Sequence, residues 1–335
     1  MYNSRIAGLG YYVPEKVVTN DDLSKLMDTS DEWIQERTGI KERRHIIKGE
    51  ETTSSMGVKA AKMAISNAGL TPNDIDFIVF ATLSPDYYFP GPGVLVQRDL
   101  EMNTVGAVDI RNQCSGFVYG MSLADQYIKS GMYQNVLVIG SEVHSVGLDM
   151  TTRGRDVSVI FGDGAGAAVL RREENPEKGI LSSHLHSEGQ YAEELSVIAP
   201  AMGTRWVTEI IEENDPDDTS YFPYMNGKFV FKNAVVRFSE VIMEGLQKNK
   251  LGVEDIDMLI PHQANLRIAQ FIQKKFRLSD DQVYNNIMHY GNTTAASIPI
   301  ALSEAWEKGK INDGDLVILA AFGSGFTWGS VVIRW

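Results

Sequence analysis

A single cysteine, Cys114, among 335 residues leaves no partner for an intramolecular disulfide and none of the multi-cysteine patterns that hold structural zinc. Basic residues are also scarce. Lys and Arg number 31 against 44 Asp and Glu, a net charge of −13, which argues against a general nucleic-acid binder. An acidic partner would have to be met by a local basic patch. Long apolar runs are missing too: those beginning at Phe77 and Leu316 fall far short of the ~20 residues that a membrane helix needs. Residues 1–10 lack the charged and apolar regions of a secretory leader. The expectation is a cytoplasmic protein with no membrane or nucleic-acid partner, stabilised by burial alone, since a chain this long buries roughly 75% of its unfolded surface.

What is present is an alternation of short Val/Ile/Leu-rich runs with longer helical patterns, the mark of an α/β protein with sheets covered on both faces. The runs Phe77-Ile-Val-Phe80, Val136-Leu-Val-Ile139, Met258-Leu-Ile260 and Leu316-Val-Ile-Leu319 have strand length. Between them, residues 54–68 place Met56, Ala60, Met63 and Ala64 at helical spacing, with Gly69 as a stop. The pattern also repeats. The stretch starting at Asp74 resembles the one starting at Asp255, 181 positions on, and that at Val136 resembles that at Leu316, 180 positions on. A shared offset and element order predict two duplicated halves, 1–175 and 176–335, with no free linker between them. Residues 199–224 read as one long irregular stretch with an acidic centre, flanked by Trp206, Ile210, Ile211, Tyr221, Phe222 and Tyr224, which could cover a pocket or a partner surface.

Three residues carry candidate chemistry. A strand-like run from Val105 to Ile110 leads to Cys114, and a helical pattern follows from Gly116. That places the thiol at a helix start, where the macrodipole favours the nucleophilic thiolate. A buried structural thiol is the competing reading. His262 ends a strand before the helical pattern of Leu266, Ile268, Ala269 and Ile272, where it could donate to a substrate carbonyl or simply cap. Asn292 lies in a Gly-Asn-Thr turn before a helix; by the repeat, that helix is the counterpart of the one behind Cys114, so a pseudo-twofold would bring the two starts together. The glycine-rich stretches at 161–166 and 322–329 have neither the dinucleotide nor the P-loop pattern and read as tight turns, whose amides could serve as an oxyanion hole. His184 and His186 would face one way on a strand, without further ligands for zinc.

These segments together closely resemble the β-ketoacyl-acyl-carrier-protein synthase III family nearly end to end. The resemblance rests on Gly8-Leu-Gly-Tyr-Tyr-Val-Pro14, Thr29-Ser-Asp-Glu-Trp-Ile34, Arg37-Thr-Gly-Ile40, Gly162-Asp-Gly-Ala-Gly166, His262-Gln-Ala-Asn265, Tyr290-Gly-Asn-Thr293, Thr327-Trp-Gly329 and the Cys114 segment. It implies an α/β thiolase fold, two αβα halves forming a five-layered αβαβα core. It implies Cys114 as the acyl-accepting nucleophile, His262 and Asn292 as donors to the malonyl thioester carbonyl, and the amides of Cys114 and Ser324 as oxyanion hole. Thr29, Trp33, Arg37, Arg155, Phe231, Ala264 and Asn265 would bind coenzyme A. Phe89 would close the acyl pocket across a homodimer interface. Lys232, Arg267, Lys274 and Lys275 would dock the carrier protein, in an acid-free stretch from Asn265 to Arg277. The expected substrates are an acyl-CoA primer and malonyl-acyl-carrier-protein, with no metal or other cofactor.

Relatives of the same fold diverge in these positions. Degradative thiolases resemble the chain but use a second cysteine, elongating ketosynthases pair two histidines, and hydroxymethylglutaryl-CoA synthases use a glutamate, for which no obvious candidate lies close to the motifs. Two departures from the family pattern are Arg111-Asn-Gln113 before the nucleophile, where small residues are usual, and the segments 84–93 and 199–224. They leave open a specialised condensing enzyme or acyltransferase of secondary metabolism with a non-acetyl primer. A non-catalytic partner that only binds carrier protein is the alternative outside enzymes.

Overall fold

The computed structural model describes residues 2–215 and 217–335; Met1 and Pro216, the latter within the acidic stretch, lie outside them. The apolar runs form the centres of two sheets. The first contains β1 (Asn3–Tyr12), β2 (Phe77–Ala81), β3 (Gly106–Ile110), β4 (Asn135–Glu142) and β5 (Gly164–Glu173), in the order β1-β5-β4-β2-β3. The second contains β6 (Gly179–Ser187), β7 (Met258–Pro261), β8 (Leu316–Gly323) and β9 (Thr327–Arg334), in the order β7-β8-β9-β6. Pairings β2/β3, β2/β4 and β7/β8 are parallel; the rest within the two sheets are antiparallel.

The sheets share one plan. A parallel bridge from Leu259 to Val283 stands where β3 stands in the first sheet. Six helices position the site or cover the sheets: α1 (Asp31–Thr38), α2 (Thr53–Asn67), α3 (Gly116–Lys129), α4 (Gly227–Lys248), α5 (Leu266–Phe276) and α6 (Ser297–Glu307). The starts of β2 and β7, of β4 and β8, and of α3 and α6 are each 181 positions apart. The repeat read from short matches therefore extends to the helices that carry the candidate site.

Alternating side chains build the layers. Phe77 and Val79 of β2 and Val136 and Val138 of β4 pack toward α3 and α6, while Ile78, Phe80, Leu137 and Ile139 face α2. In the second sheet Val317 and Leu319 of β8 join the same central core as α3 and α6, and Leu316 and Ile318 pack with α4 and α5. The order is α2, sheet, α3 with α6, sheet, α4 with α5, which is the five-layered αβαβα arrangement of a thiolase fold. Burying both faces removes each Val, Ile, Leu or Phe from water at about 1.5–3 kcal/mol apiece, which is why these strands need no polar alternation.

One expectation fails locally. Residues 199–224 are not wholly irregular: a short helix, Val207–Glu213, forms within them. Trp206 precedes it with the Glu209 carboxylate on its amide (2.9 Å), and Arg205 pairs with Glu213 and Asp218. Of the acidic centre, Glu213 and Asp218 staple the segment through Arg205, while Glu212, Asp215 and Asp217 stay exposed to solvent. Trp206, Val207 and Ile211 remain exposed.

Candidate active site

Each site residue sits where a strand gives way to a helix. The residue after β3 and Arg111-Asn112 is Gln113, in the left-handed region at φ 43°, and it turns the chain through the 3-10 turn Gln113–Ser115 into α3. The counterpart turn, Thr294–Ala296, starts at Thr294 with φ 49° and leads into α6. Cys114 in the first turn is buried, pressed against the end of β8. A Cβ on Gly323 would lie 2.6 Å from the Cys114 Cβ and 2.9 Å from its sulfur, so this position has room only for glycine. Likewise a Cβ on Gly140 of β4 would lie 2.3 Å from the Ala295 carbonyl oxygen, so the second turn also rests on a bare backbone.

Burial pushes the Cys114 thiol up to about 12, and the charge of Glu142 adds to this, while the backbone amides of Cys114 and Ser324 act against it. The helix start therefore does not hold the resting thiolate that the sequence predicts; desolvation outweighs the dipole. The two amides are the pair that the family resemblance names as an oxyanion hole.

His262 follows β7, and its own amide bonds the Ala320 carbonyl (2.8 Å). The imidazole is buried, which holds it down to about 3, hence neutral. Nδ1 lies 2.6 Å from Ser297 Oγ, and Nε2 has no partner among the described residues. Ser297 Oγ also accepts from the Gln263 amide (3.4 Å); with its own proton given to Nδ1, the ring proton stands on Nε2. Asn292 Oδ1 accepts from the Thr294 amide at 2.8 Å, a bond that only the carbonyl end can make. Its NH2 end is thereby left for the cavity. Two neutral donors thus come from distant parts of the chain.

Cys114, His262 and Asn292 line one cavity of about 670 Å³, together with Trp33, Arg37, Phe231, Ala264, Asn265 and Arg267. Asn265 Nδ2 donates to the Arg37 carbonyl (2.9 Å), tying the loop after His262 to α1. Guanidinium groups of Arg37 and Arg155 lie 4.3 and 5.4 Å from the Trp33 ring centre, and Arg155 also bonds Asp28. Arg155 is thus beside the mouth rather than in the lining, and Thr29 is not in the lining either; its Oγ1 is buried without a partner among the described residues. Phe89 is 81% exposed and takes no part in lining the cavity of its own chain. Lys232, Arg267, Lys274 and Lys275 are exposed, and the Arg267 guanidinium lies 5.8 Å from the Phe231 ring centre.

One residue escaped sequence reasoning. Glu142, at the end of β4, is fully buried against the Thr82–Ser84 turn, and burial raises its carboxyl to about 7. The expectation that no glutamate lies near the motifs is corrected here: β4 brings it across the sheet. An acid closing an apolar strand, directly after Val136-Leu-Val-Ile-Gly-Ser141, was the available signal. His184 and His186 do face one way, and both meet Glu244, at 3.3 and 2.6 Å.

No group of three or more His, Cys, Asp or Glu side chains suited to a metal occurs among the described residues, and no helix there is long and apolar enough to cross a membrane. Comparison with known proteins follows the same line as the geometry. Models of 3-oxoacyl-[acyl-carrier-protein] synthase III match residues 108–189, and of its C-terminal part residues 246–335. The chain is 46% identical over 332 residues to a β-ketoacyl-[acyl-carrier-protein] synthase III of Caldanaerobacter subterraneus, covering 98% of this chain and 97% of that one. It is 44% identical to one of Rhodospirillum centenum, covering 99% of each. The crystal structure of 3-oxoacyl-[acyl-carrier-protein] synthase III from Aquifex aeolicus superposes with a TM-score of 0.90 at 43% identity, over 99% of this chain and all of that one. The chain therefore belongs to the β-ketoacyl-acyl-carrier-protein synthase III family.

Proposed function

We propose that Cys114, His262 and Asn292 carry out the two half-reactions of a decarboxylating Claisen condensation. The chain is a condensing acyltransferase of the synthase III type, joining an acyl-CoA primer to malonyl-acyl-carrier-protein. The observation that carries the residue assignment is the convergence of these three groups on one cavity. In the first half-reaction the Cys114 sulfur attacks the primer thioester. The oxyanion forms against the Cys114 and Ser324 amides, coenzyme A leaves, and the proton lost by Cys114 ends on the departing thiol. In the second, the malonyl carboxylate leaves as CO2 while His262 Nε2 and the Asn292 amide donate to the thioester oxygen, which becomes an enolate. Its carbon attacks the acyl-Cys114 carbonyl, and the released sulfur takes up a proton. The sequence balances without a metal or redox carrier. Holding the acyl group on Cys114 makes the carbon–carbon step local.

Trp33, Arg37, Arg155 and Thr29 would receive the nucleotide end of coenzyme A at the mouth, and Phe231, Ala264 and Asn265 its pantetheine arm. Lys232, Arg267, Lys274 and Lys275 would meet an acidic carrier protein beside that mouth. A homodimer is supported by β3, which ends the first sheet, and by Tyr87, Tyr88 and Phe89, which stand 54, 71 and 81% exposed in the segment that Asp109 of β3 holds through the Gly93 amide (2.8 Å). Phe89 would then close the partner subunit's pocket. The repeat supports a division into 1–175 and 176–335, and a lone reduced cysteine suits the cytoplasm. Exposure to acyl-CoA should add one acyl mass to the wild type and none to Cys114→Ala; equal labelling of both would overturn the nucleophile.

A further inference from the structure

Glu142 is a buried acid at the ends of the strands beside the site, and neither half-reaction uses it. Its Oε2 accepts from Thr82 Oγ1 (3.0 Å) and Ser84 Oγ (2.7 Å), and the Leu83 amide reaches Oε1 and Oε2 at 3.2 and 3.1 Å. All of these partners are neutral. Gly140, two residues before Glu142, abuts the Ala295 turn: a Cβ there would lie 2.3 Å from the Ala295 carbonyl oxygen and 3.2 Å from the Ala296 nitrogen. A buried carboxylate without a cation is expensive, so its surroundings must supply positive potential by other means.

They do so through two helix starts. The Cys114 turn opens α3 and the Ala295 turn opens α6, and a Cβ on Gly116 would lie 3.5 Å from that of Ala295. The positive ends of both helices thus meet in one place. Negative charge there can reside on Glu142 or on the Cys114 sulfur: Glu142 bonds Thr82 and Leu83, directly after Ala81, and a Cβ on Gly116, two residues from Cys114, would lie 3.1 Å from the Ala81 Cβ. We propose that Glu142 is a positioning residue for the nucleophile: its carboxylate takes the place between the two helix starts and keeps Cys114 a thiol until a thioester is seated. The inference rests on Cys114 as nucleophile.

Alkylation of Cys114 by iodoacetamide tests this on the full chain, because the cysteine is unique and the adduct is read by mass. The thiolate displaces iodide, so the rate follows the thiolate fraction. Glu142→Gln keeps the size, and the Thr82 and Ser84 hydroxyls can turn to accept from the new amide. Its rate-against-pH profile should move to lower pH by about one unit, giving about tenfold faster alkylation at a fixed pH below the midpoint. Glu142→Asp, which keeps the charge, should stay near wild type. A folded Glu142→Gln protein with an unmoved or raised profile would overturn the proposal. Should that variant fail to fold, Ser84→Ala removes the shortest bond to the carboxylate and should speed alkylation in the same direction; an unchanged rate there overturns it equally. No thioester or carrier protein enters the assay, so its outcome is separate from loss of condensation.

Discussion

Gly323→Ala offers the sharpest check on where the nucleophile sits. The added carbon would stand 2.6 Å from the Cys114 Cβ, 2.9 Å from its sulfur and 3.2 Å from its amide nitrogen. Ordinary carbon contacts begin near 3.5 Å, so the Cys114 turn or the end of β8 must move by about 1 Å. Neither side gives way easily, since β8 is buried along its whole length and Cys114 is packed beneath α3. Overpacking of this kind costs about 1–3 kcal/mol of stability. The catalytic loss should be larger in proportion, because a shift of about 1 Å at the reacting atom costs on the order of a hundredfold in rate. Single-turnover acylation from acyl-CoA, followed by intact mass, measures it directly. Gly189→Ala, whose new carbon would meet nothing within 4 Å, serves as the control. Acylation of Gly323→Ala at the wild-type rate, with unchanged stability, would refute the placement of the thiol against β8.

His262→Ala and Asn292→Ala should still form acyl-Cys114 yet lose malonyl decarboxylation on the order of a hundredfold or more each, measured as CO2 release; a variant failing only at acylation would reverse the roles. Ser297→Ala frees Nδ1 to take the ring proton and should lower decarboxylation more than acylation, read from the two half-reactions separately. Arg267→Glu with Lys274→Glu should weaken use of malonyl-carrier-protein sharply, most of all at low salt, and leave acylation from acyl-CoA nearly unchanged; equal losses would point to the shared cavity instead. His262 is neutral in the fold, held down to about 3, whereas the unfolded chain protonates it below about 6.5. Its contribution to stability is therefore complete above that pH and is lost as the pH falls toward 3. From pH 7 to 5, wild type should lose about 2 kcal/mol more than His262→Gln in denaturant titrations.

The sequence by itself determined the fold class, the repeat and the three candidate reacting groups. Continuous apolar runs such as Phe77-Ile-Val-Phe80 have one stable use, as strands covered on both faces, and an offset shared by strands extends to the helices between them. Chemistry-bearing residue types at strand ends, above all a lone cysteine before a helix, are local signals that survive without a structure. The charge states were decided only by tertiary structure. A helix start on its own favours a thiolate at Cys114, but the second sheet closes over it, and desolvation prevails over the dipole. The same holds for Glu142, which lies about 60 positions from Thr82, Leu83 and Ser84 in the chain and meets them only because β4 and β2 pair in one sheet. Local pattern carries which groups are present and on what element, whereas burial and through-space charge depend on everything packed around them, and no stretch of sequence contains that.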